Sequence, residues 1–281
     1  MAEAANTARL AAVRRIVVHG GLAHTDDIMA CAIALAYGVP HDAEIARRNP
    51  TPEELDDPAT LVLDVGGVHD PARLDFDHHG RGRDAEPKCA YKLLAEWLGA
   101  DAELARLYPW YAAWNLVDVL GTNGTARRLG TTGEALEGFV AHPLADLVIR
   151  QFASDPAFRA QTVVKLARGI DKTRRCWTLI NARAAMTEIA GLPVADLRGC
   201  GQDEVSRCSE AWMRPRRPAC SVSRDSRGAG LTVLRHNDDP RLDFARCAGR
   251  PYALFAHPGG FVLKTRRPDD DLARILEDAR T

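Results

Sequence analysis

Two short apolar runs in the first quarter of the chain each end in a pair of glycines. Arg15–His19 leads into Gly20-Gly21, and Leu61–Val65 leads into Gly66-Gly67. Apolar, β-branched runs of this length that stop at glycine are typical of buried strands entering tight loops. A helix with Thr25 as its cap is predicted between them, and buried strands that alternate with helices indicate a mostly parallel α/β sheet.

The rest of the chain divides into a helix-rich middle and a strand-rich end. The helix-rich part runs from about Pro87 to Ile189. Strand-like runs return after Pro193, and a closing helix over Asp269–Ala279 begins with three aspartates, as a helix N-terminus prefers. We predict an α/β protein with a mostly parallel sheet flanked by helices (residues 1–150), a helical connector (151–192) and a smaller C-terminal α/β domain (193–281).

Charge is divided unevenly between the two ends of the chain. The whole sequence carries a net charge of −1, from 37 basic and 38 acidic residues. Residues 1–150 contain 14 basic and 22 acidic side chains, whereas residues 151–281 contain 23 basic and 16 acidic ones. An acidic half concentrates cations and a basic half attracts phosphates, so the near-neutral total does not exclude a polyanionic partner.

Three features bear on the compartment of the protein. No apolar run approaches the roughly 18 residues of a membrane span. The N-terminal residues lack the apolar stretch of a signal peptide, and the seven cysteines show no C-x-x-C spacing. We expect a cytoplasmic protein that does not contact membranes and whose cysteines are reduced and mostly buried.

Histidine and aspartate cluster near the N-terminus. Six of the nine histidines fall within the first 79 residues, and four of them lie in two of three glycine-flanked, His- or Asp-containing fragments at 19–27, 63–67 and 75–80. Imidazole and carboxylate together suit Mn²⁺, Zn²⁺, Co²⁺ or Fe²⁺, and a pair of such ions about 3.5–4 Å apart promotes phosphoryl displacement. An acidic helix start with structural histidines is the alternative, but three such fragments at strand ends favour a metal site.

These fragments resemble a known family. Asp77-His78-His79 resembles the motif that names the DHH phosphoesterase superfamily, which includes exonucleases, oligoribonucleases and manganese-dependent pyrophosphatases. VHGGLAHTDD followed by LDVGGVHDPARLDFDHH is similar to the Myg family (melanocyte proliferating gene) of metal-dependent 3′→5′ exonucleases. The resemblance is specific over residues 15–80 and becomes weaker after them.

The resemblance implies a site for two divalent ions. One ion would be held by two histidines, the other by a carboxylate, and a second carboxylate would bridge them. The implied ligands are His19, His24, Asp26, Asp64, His78 and Asp118. Histidine at position 24 replaces a carboxylate of the wider superfamily, which favours a softer ion than Mg²⁺. We expect Mn²⁺, with Mg²⁺, Co²⁺ or Zn²⁺ as alternatives.

The resemblance also implies catalytic roles and one departure from the family pattern. His79 would contact the scissile phosphate or its leaving oxygen, and Asp77 would orient a histidine ring. Asp118 matches the fourth motif, where the Myg pattern has a second acid three residues later. This chain has Gly121 there, so a one-ion enzyme or a protein that binds metal or nucleotide without turnover stays open.

Substrate contacts are predicted in two further places. Arg81 directly follows the DHH motif and would reach a phosphate, with a solvated loop as the alternative. His257, Gly259 and Gly260 faintly resemble the glycine-rich histidine loop of the substrate-binding domain in relatives, with a plain hairpin turn as the alternative. For Trp110, Trp114 and Trp177, core packing is favoured over base stacking.

The sequence therefore predicts a metal-dependent phosphoesterase. The first choice of substrate is a phosphodiester at the end of a short or single-stranded RNA or DNA. A small nucleotide or a pyrophosphate-like compound is the alternative, because the fold alone does not choose between them.

Overall fold

The structure is a computed structural model that describes residues 2–80, 85–140 and 142–281. The chain forms two compact units, Met1–Asp171 and Lys172–Thr281. The first has one large hydrophobic core, and the second has two smaller ones. The domain boundaries at 150 and 192 stay a prediction.

A five-stranded sheet organises the first unit. Its strands are β1 (Arg15–Val18), β2 (Glu44–Arg47), β3 (Thr60–Leu63), β4 (His69–Asp70) and β5 (Asp75–Phe76). Their spatial order is β2-β1-β3-β5-β4, and all neighbours are parallel except β4 with β5. The predicted mostly parallel sheet is confirmed, and the two strands that end at glycine pairs, β1 and β3, lie side by side.

Nine α-helices precede, separate and follow these strands along the described part of the chain up to Arg183. They are α1 (Ala2–Leu10), α2 (Thr25–Ala36), α3 (Pro52–Asp56), α4 (Ala90–Trp97), α5 (Asp101–Leu107), α6 (Trp110–Leu129), α7 (Gly133–Val140), α8 (Pro143–Ser154) and α9 (Pro156–Arg183). Side chains from β1, β3, β5, α2 and α4 share the main core of the unit. Helix α9 runs through the division between the two units.

Helix α2 begins differently from the sequence expectation. Thr25 was the predicted cap, but His24 is the N-cap residue, and its backbone N–H donates to Asp27 Oδ2 at 2.8 Å. A carboxylate in the first turn thus satisfies this exposed end of the helix, which is favourable next to its positive dipole. The body of α2 consists mainly of alanine, isoleucine and leucine, and nine of its twelve residues are buried.

Helix α6 is broken at Gly121. This residue has φ 66° and ψ 172°, a conformation that only glycine adopts without strain. The first segment, from Trp110 to Leu120, therefore takes a different direction from the second. The break lies three residues after Asp118, at the position where the Myg pattern has its second acid.

The second unit is built on a six-stranded sheet. Its strands are β6 (Ala185–Ile189), β7 (Leu192–Asp196), β8 (Cys220–Arg224), β9 (Leu231–Arg235), β10 (Ala253–Ala256) and β11 (Val262–Thr265). Their order is β10-β11-β9-β8-β7-β6, and only the β7–β8 pair is parallel. The helices α10 (Gln202–Met213) and α11 (Leu272–Asp278) complete the unit.

The prediction that the helix-rich region continues to Ile189 is wrong for its last residues. Helix α9 ends at Arg183, and Ala185–Ile189 forms the strand β6, which pairs with β7 through a tight turn at Ala190-Gly191. Both turn residues have positive φ, 50° and 69°, which allows the chain to reverse within two residues. By contrast, the strands predicted after Pro193 at positions 219–224, 231–235, 252–256 and 261–265 are confirmed to within one residue at each end.

All seven cysteines are buried and unpaired, as the sequence predicts. Burial raises the pKa of the Cys208 and Cys220 thiols to about 12. They therefore act as small apolar side chains. Among the described helices, none combines the length and apolar character that crossing a membrane requires.

Candidate metal centre

The first part of the site is the loop between β1 and α2. His19 follows β1 directly, and His24 lies at the N-terminus of α2. Their rings stack with centroids 5.4 Å apart. His19 Nδ1 lies 3.5 Å from Asp27 Oδ2, so the carboxylate that accepts the capping hydrogen bond also faces the first histidine.

Asp64 follows the neighbouring strand β3. It is 2% exposed and has φ 56°, a left-handed conformation that Asp and Asn tolerate better than most residues. Its backbone N–H donates to the carbonyl of Phe76, which continues the parallel pairing of β3 with β5. Because β1 and β3 are parallel neighbours, their carboxyl ends place His19 and Asp64 at the same edge of the sheet.

The DHH motif follows β5 at this same edge. His78 Nε2 lies 3.1 Å from Asp64 Oδ1 and 3.3 Å from Asp118 Oδ2. Burial lowers the pKa of His78, but the facing carboxylates of Asp118 and Asp64 outweigh it and raise the pKa to about 10. His78 thus connects the sheet edge to the first segment of α6.

Asp77 and His79 form a pair beside this connection. Asp77 Oδ1 accepts from the backbone N–H of His79 at 2.9 Å and lies 2.7 Å from His79 Nδ1, while Oδ2 accepts from Gly67 N–H. Burial raises the pKa of Asp77, but these backbone donors and the His79 ring lower it below its usual value overall. Asp77 is therefore an anion that fixes the orientation of the half-exposed His79 ring and leaves Nε2 available.

These elements bring together three overlapping groups of side chains that present donor atoms within 4.8 Å of one another. The groups are His19, His24, Asp27 and Asp64; Asp64, His78 and His79; and His24, Asp26 and Asp118. The first group shares Asp64 with the second and His24 with the third. Every ligand predicted from the sequence belongs to at least one group. Their roles as ligands stay predictions, but the fold places them within reach of common ions.

The charge of this cluster is unbalanced. Asp26, Asp27 and Asp64 are each at most 2% exposed. Burial raises the pKa of Asp27 to about 7. Burial also raises the pKa of Asp26 far above its usual value, and the nearby charges of Asp64 and Asp118 add to this effect. Buried carboxylates that repel one another need protons or cations to balance them.

Several potential metal-ligating atoms in the cluster lack a well-oriented hydrogen-bond partner among the described residues, which agrees with a cation site. Asp26 Oδ2, Asp27 Oδ1, Asp64 Oδ1 and His19 Nδ1 are buried, and no described residue makes a well-oriented hydrogen bond to them. Leaving several buried polar atoms unpaired in one place is costly. Oxygen and imidazole donors of this kind fit divalent cations such as Mn²⁺ or Zn²⁺.

Gly121 does not remove Asp118 from the cluster. The Asp118 carboxylate reaches His78, and it shares a donor group with His24 and Asp26. The backbone at Gly121 has the glycine-only conformation described above, so a second acid at this position would be strained. The fourth motif is therefore represented at this site by Asp118 alone.

The structure does not test the predicted substrate contacts. Arg81 lies outside the described residues. His257, Gly259 and Gly260 belong to the second unit and form the turn between β10 and β11. The backbone N–H of Gly259 donates to His257 Nδ1, and that of Gly260 donates to the His257 carbonyl. Their role in binding substrate stays a prediction.

Sequence reasoning missed Asp27 as part of the cluster. The residue lies in the metal-site fragment 19–27, but the resemblance implies only its neighbour Asp26 as a ligand. Its contact with His19 depends on how closely the β1 loop packs against the helix start. Arg47, whose Nη2 lies 4.0 Å from Asp27 Oδ2, was also missed, because nothing in a strand sequence shows which loop its side chain will face.

Comparison with known proteins agrees with the sequence pattern. Residues 15–94 match the family model MYG1_exonuc, described as an uncharacterised protein family (UPF0160). This segment is Myg-like. The predicted resemblance is thereby confirmed over the residues that carry β1 to β5 and the DHH motif.

Curated relatives match longer stretches than the family model does. Human "MYG1 exonuclease" is 32% identical over 162 residues, which are 57% of this chain and 42% of the human protein. Bovine "MYG1 exonuclease" is 32% identical over 132 residues, 47% of this chain and 34% of the bovine one. The matched region thus spans less than half the length of these relatives.

Two solved structures align with most of the chain at low similarity. The "pGpG-specific phosphodiesterase" PggH from Vibrio cholerae is 11% identical with a TM-score of 0.32, covering 94% of this chain and 96% of that one. A "member of s1p family of ribosomal proteins PF0399 DHH domain" is 14% identical with a TM-score of 0.31, covering 99% and 88%. Neither TM-score reaches the range in which a shared fold is inferred.

Proposed function

We propose that this chain is a divalent-metal-dependent phosphoesterase that hydrolyses phosphodiester bonds, acting from the end of a short or single-stranded nucleic acid. The observation that carries the proposal is the convergence of buried carboxylates and histidines from the ends of β1, β3 and β5 with the start of α2 and with α6. The exonuclease name of the curated relatives, which are 32% identical over 162 and 132 residues, supports the choice of substrate.

Two ions would divide the predicted ligands between them. The family resemblance assigns His19 and His24 to one ion and Asp26 to the other, with Asp64 as a shared ligand. Asp118 would join the second ion, because its carboxylate lies in one donor group with Asp26. Mn²⁺ fits this mixed nitrogen and oxygen donor set. When bound, divalent ions supply positive charge that stabilises the phosphoryl oxygens during displacement.

His79 is the group that we assign to the leaving oxygen. Asp77 holds Nδ1 of the ring, so Nε2 is the nitrogen left to face substrate. A proton on Nε2 can be delivered to the departing oxygen, and the Asp77 carboxylate keeps the ring in the orientation that this transfer needs. With 59% of its side chain exposed, His79 is accessible to a substrate arriving from solvent.

The test compares three substrates in the presence of Mn²⁺: a generic phosphodiester, a short end-labelled RNA and pyrophosphate. We expect hydrolysis of the first two and shortening of the RNA one nucleotide at a time. Turnover of pyrophosphate alone would support the small-substrate alternative. Intact metal binding without any turnover would overturn the enzymatic proposal in favour of a binding protein.

Two variants locate the chemistry. Asp64→Asn and His78→Ala should each lose bound manganese, measured as metal per protein after gel filtration, together with hydrolysis. His257→Ala is the matched control for metal content only, because it removes a histidine from a glycine-rich turn in the second unit that is predicted to contact substrate. If either of the first two variants keeps full activity and full metal content, the metal centre has been assigned to the wrong residues.

A further inference from the structure

A cavity of about 250 Å³ adjoins the metal centre within the first unit. Its lining includes His24, Asp26 and Asp118, which form one of the three donor groups. The cavity is therefore continuous with side chains that would hold the metal.

Most of the remaining lining is apolar. It consists of Ala23, Trp114, Val117, Val140 and Ile149, together with Thr25, from the β1–α2 loop and from α2, α6, α7 and α8. An apolar lining beside a few polar groups is the usual form of a small-molecule site. The cavity therefore suits a neutral, apolar part of a ligand.

Trp114 is exposed to this cavity and does not fill the core. It is half-buried, whereas Trp110, one turn earlier on α6, packs against the main core of the unit. Among the described side chains, Trp114 is absent from those packed against that core. The sequence expectation of core packing is therefore wrong for Trp114, although it is right for Trp110.

The spacing along α6 groups Trp114 with the metal-centre carboxylate. Val117 and Asp118 follow Trp114 by three and four residues, so both lie on the same side of the helix as the indole. The indole, the valine and the metal-centre carboxylate thus share a surface. The helix is interrupted at Gly121, three residues after Asp118.

We propose that this cavity is a base-binding subsite, in which the nucleobase next to the phosphate held at the metal centre stacks on Trp114. The proposal rests on the function proposed above and names nucleotides as its substrate class. A nucleobase is flat, neutral and largely apolar on its faces, as the cavity requires. At about 250 Å³ the cavity is smaller than the roughly 300–1,000 Å³ of pockets for drug-sized ligands, so it admits a single ring system.

The test measures binding of two monophosphates that contain no phosphodiester bond. Isothermal titration in the presence of Mn²⁺ compares a nucleoside 5′-monophosphate with ribose 5-phosphate, which lacks the base. We expect the nucleotide to bind roughly 10-fold more tightly, the size of effect that one base–aromatic stack produces. Equal affinity for the two ligands would overturn the subsite.

Variants assign this preference to the cavity. Trp114→Ala should abolish the difference between the two ligands without changing the affinity for ribose 5-phosphate, and Trp114→Phe should keep most of it. Val117→Phe, which fills the cavity and leaves the indole in place, should also abolish it. Trp110→Phe is the control on the same helix and should bind both ligands like the wild type.

The outcomes separate this proposal from the proposed function. If the base preference is present and disappears in Trp114→Ala and Val117→Phe, the subsite stands even where no phosphodiester is hydrolysed. If the preference survives in both variants, the subsite is overturned even where hydrolysis is observed. Equal weakening of both ligands in the two variants would also overturn it, because it would show general damage to the phosphate site.

Discussion

Two histidine–glycine loops in this molecule look alike in sequence and differ in what surrounds them. His19-Gly20-Gly21 follows a parallel strand. The Nδ1 atom of His19 is buried 3.5 Å from the Asp27 carboxylate, and no described residue makes a well-oriented hydrogen bond to it. His257 and its glycines close a hairpin, where Nδ1 accepts from Gly259 N–H and the ring lies 4.0 Å from that of Phe261. Nδ1 of His19 thus has no well-oriented hydrogen bond from the described residues, whereas Nδ1 of His257 accepts one from its own loop.

The connection of the strands accounts for the difference. Parallel strands end at one edge of their sheet, so the loop after β1 meets the residues after β3 and β5. A hairpin connects two neighbouring antiparallel strands and meets mainly itself. A histidine–glycine loop therefore suggests a metal site only where the sheet gathers other loops beside it.

The largest expected effect separates the two loops directly. His19→Ala should lower manganese affinity more than the roughly 10–100-fold typical of removing a group outside the ligand shell, and hydrolysis should fall with it. His257→Ala should leave metal content unchanged. Metal titration followed by a phosphodiester assay measures both. Equal metal loss in the two variants would break the comparison, and a raised KM in His257→Ala alone would support its predicted contact with substrate.

The second effect concerns orientation at the DHH motif. Asp77→Asn should lower kcat by roughly 10–100-fold with metal content preserved, because His79 loses the anion that fixes its ring. Steady-state kinetics with metal analysis on the same sample tests this. Loss of metal in this variant would show that Asp77 supports the ligands themselves, and unchanged kcat would show that the pair with His79 has no catalytic role.

The third effect compares a glycine in each region. Gly260 has φ 70°, and a side chain there would collide with Asp243, whereas Gly121 has open space around it. Gly121→Ala should cost about 1–3 kcal/mol of unfolding free energy from backbone strain alone. Gly260→Ala should cost more, since it adds a steric clash. Chemical denaturation measures both, and a larger loss in Gly121→Ala would contradict this ranking.

The smallest effect is a pH dependence near the site. Burial, with a contribution from Asp77, raises the pKa of Asp75 to about 7. A carboxyl whose pKa is higher in the folded state contributes stability at low pH, and this contribution is lost as the pH rises from about 4 through 7. In the presence of a chelator, the Tm of Asp75→Asn should fall less over this range than that of the wild type. Parallel Tm profiles would contradict the assignment.

Local patterns along the chain were enough to predict the sheet edge. The apolar runs ending at Gly20 and Gly66 identify β1 and β3, and the carboxyl ends of parallel strands then place His19 and Asp64 together. Asp118 depended on the family resemblance, because an aspartate within a helical stretch has no local pattern of its own. The strand β6 was missed because most of its residues are exposed and it lacks the alternation of a half-buried strand.

What the sequence could not supply is the direction of individual side chains. Trp110 and Trp114 occupy the same helix segment, and only the packing of α6 shows that one enters the core while the other lines the cavity. Asp27 presents the same difficulty. Its two partners, the His24 backbone and the His19 ring, come together only when the β1 loop folds over the start of α2.

The shared use of Asp27 couples the metal centre to the stability of a core helix. One carboxylate oxygen accepts the capping hydrogen bond of α2 and also faces His19, so a cation bound there and the first turn of the helix depend on the same group. Thermodynamic linkage then requires that metal binding reduce local opening of this turn. Amide hydrogen exchange at the start of α2 should therefore slow when metal is added, which makes backbone protection a measure of site occupancy.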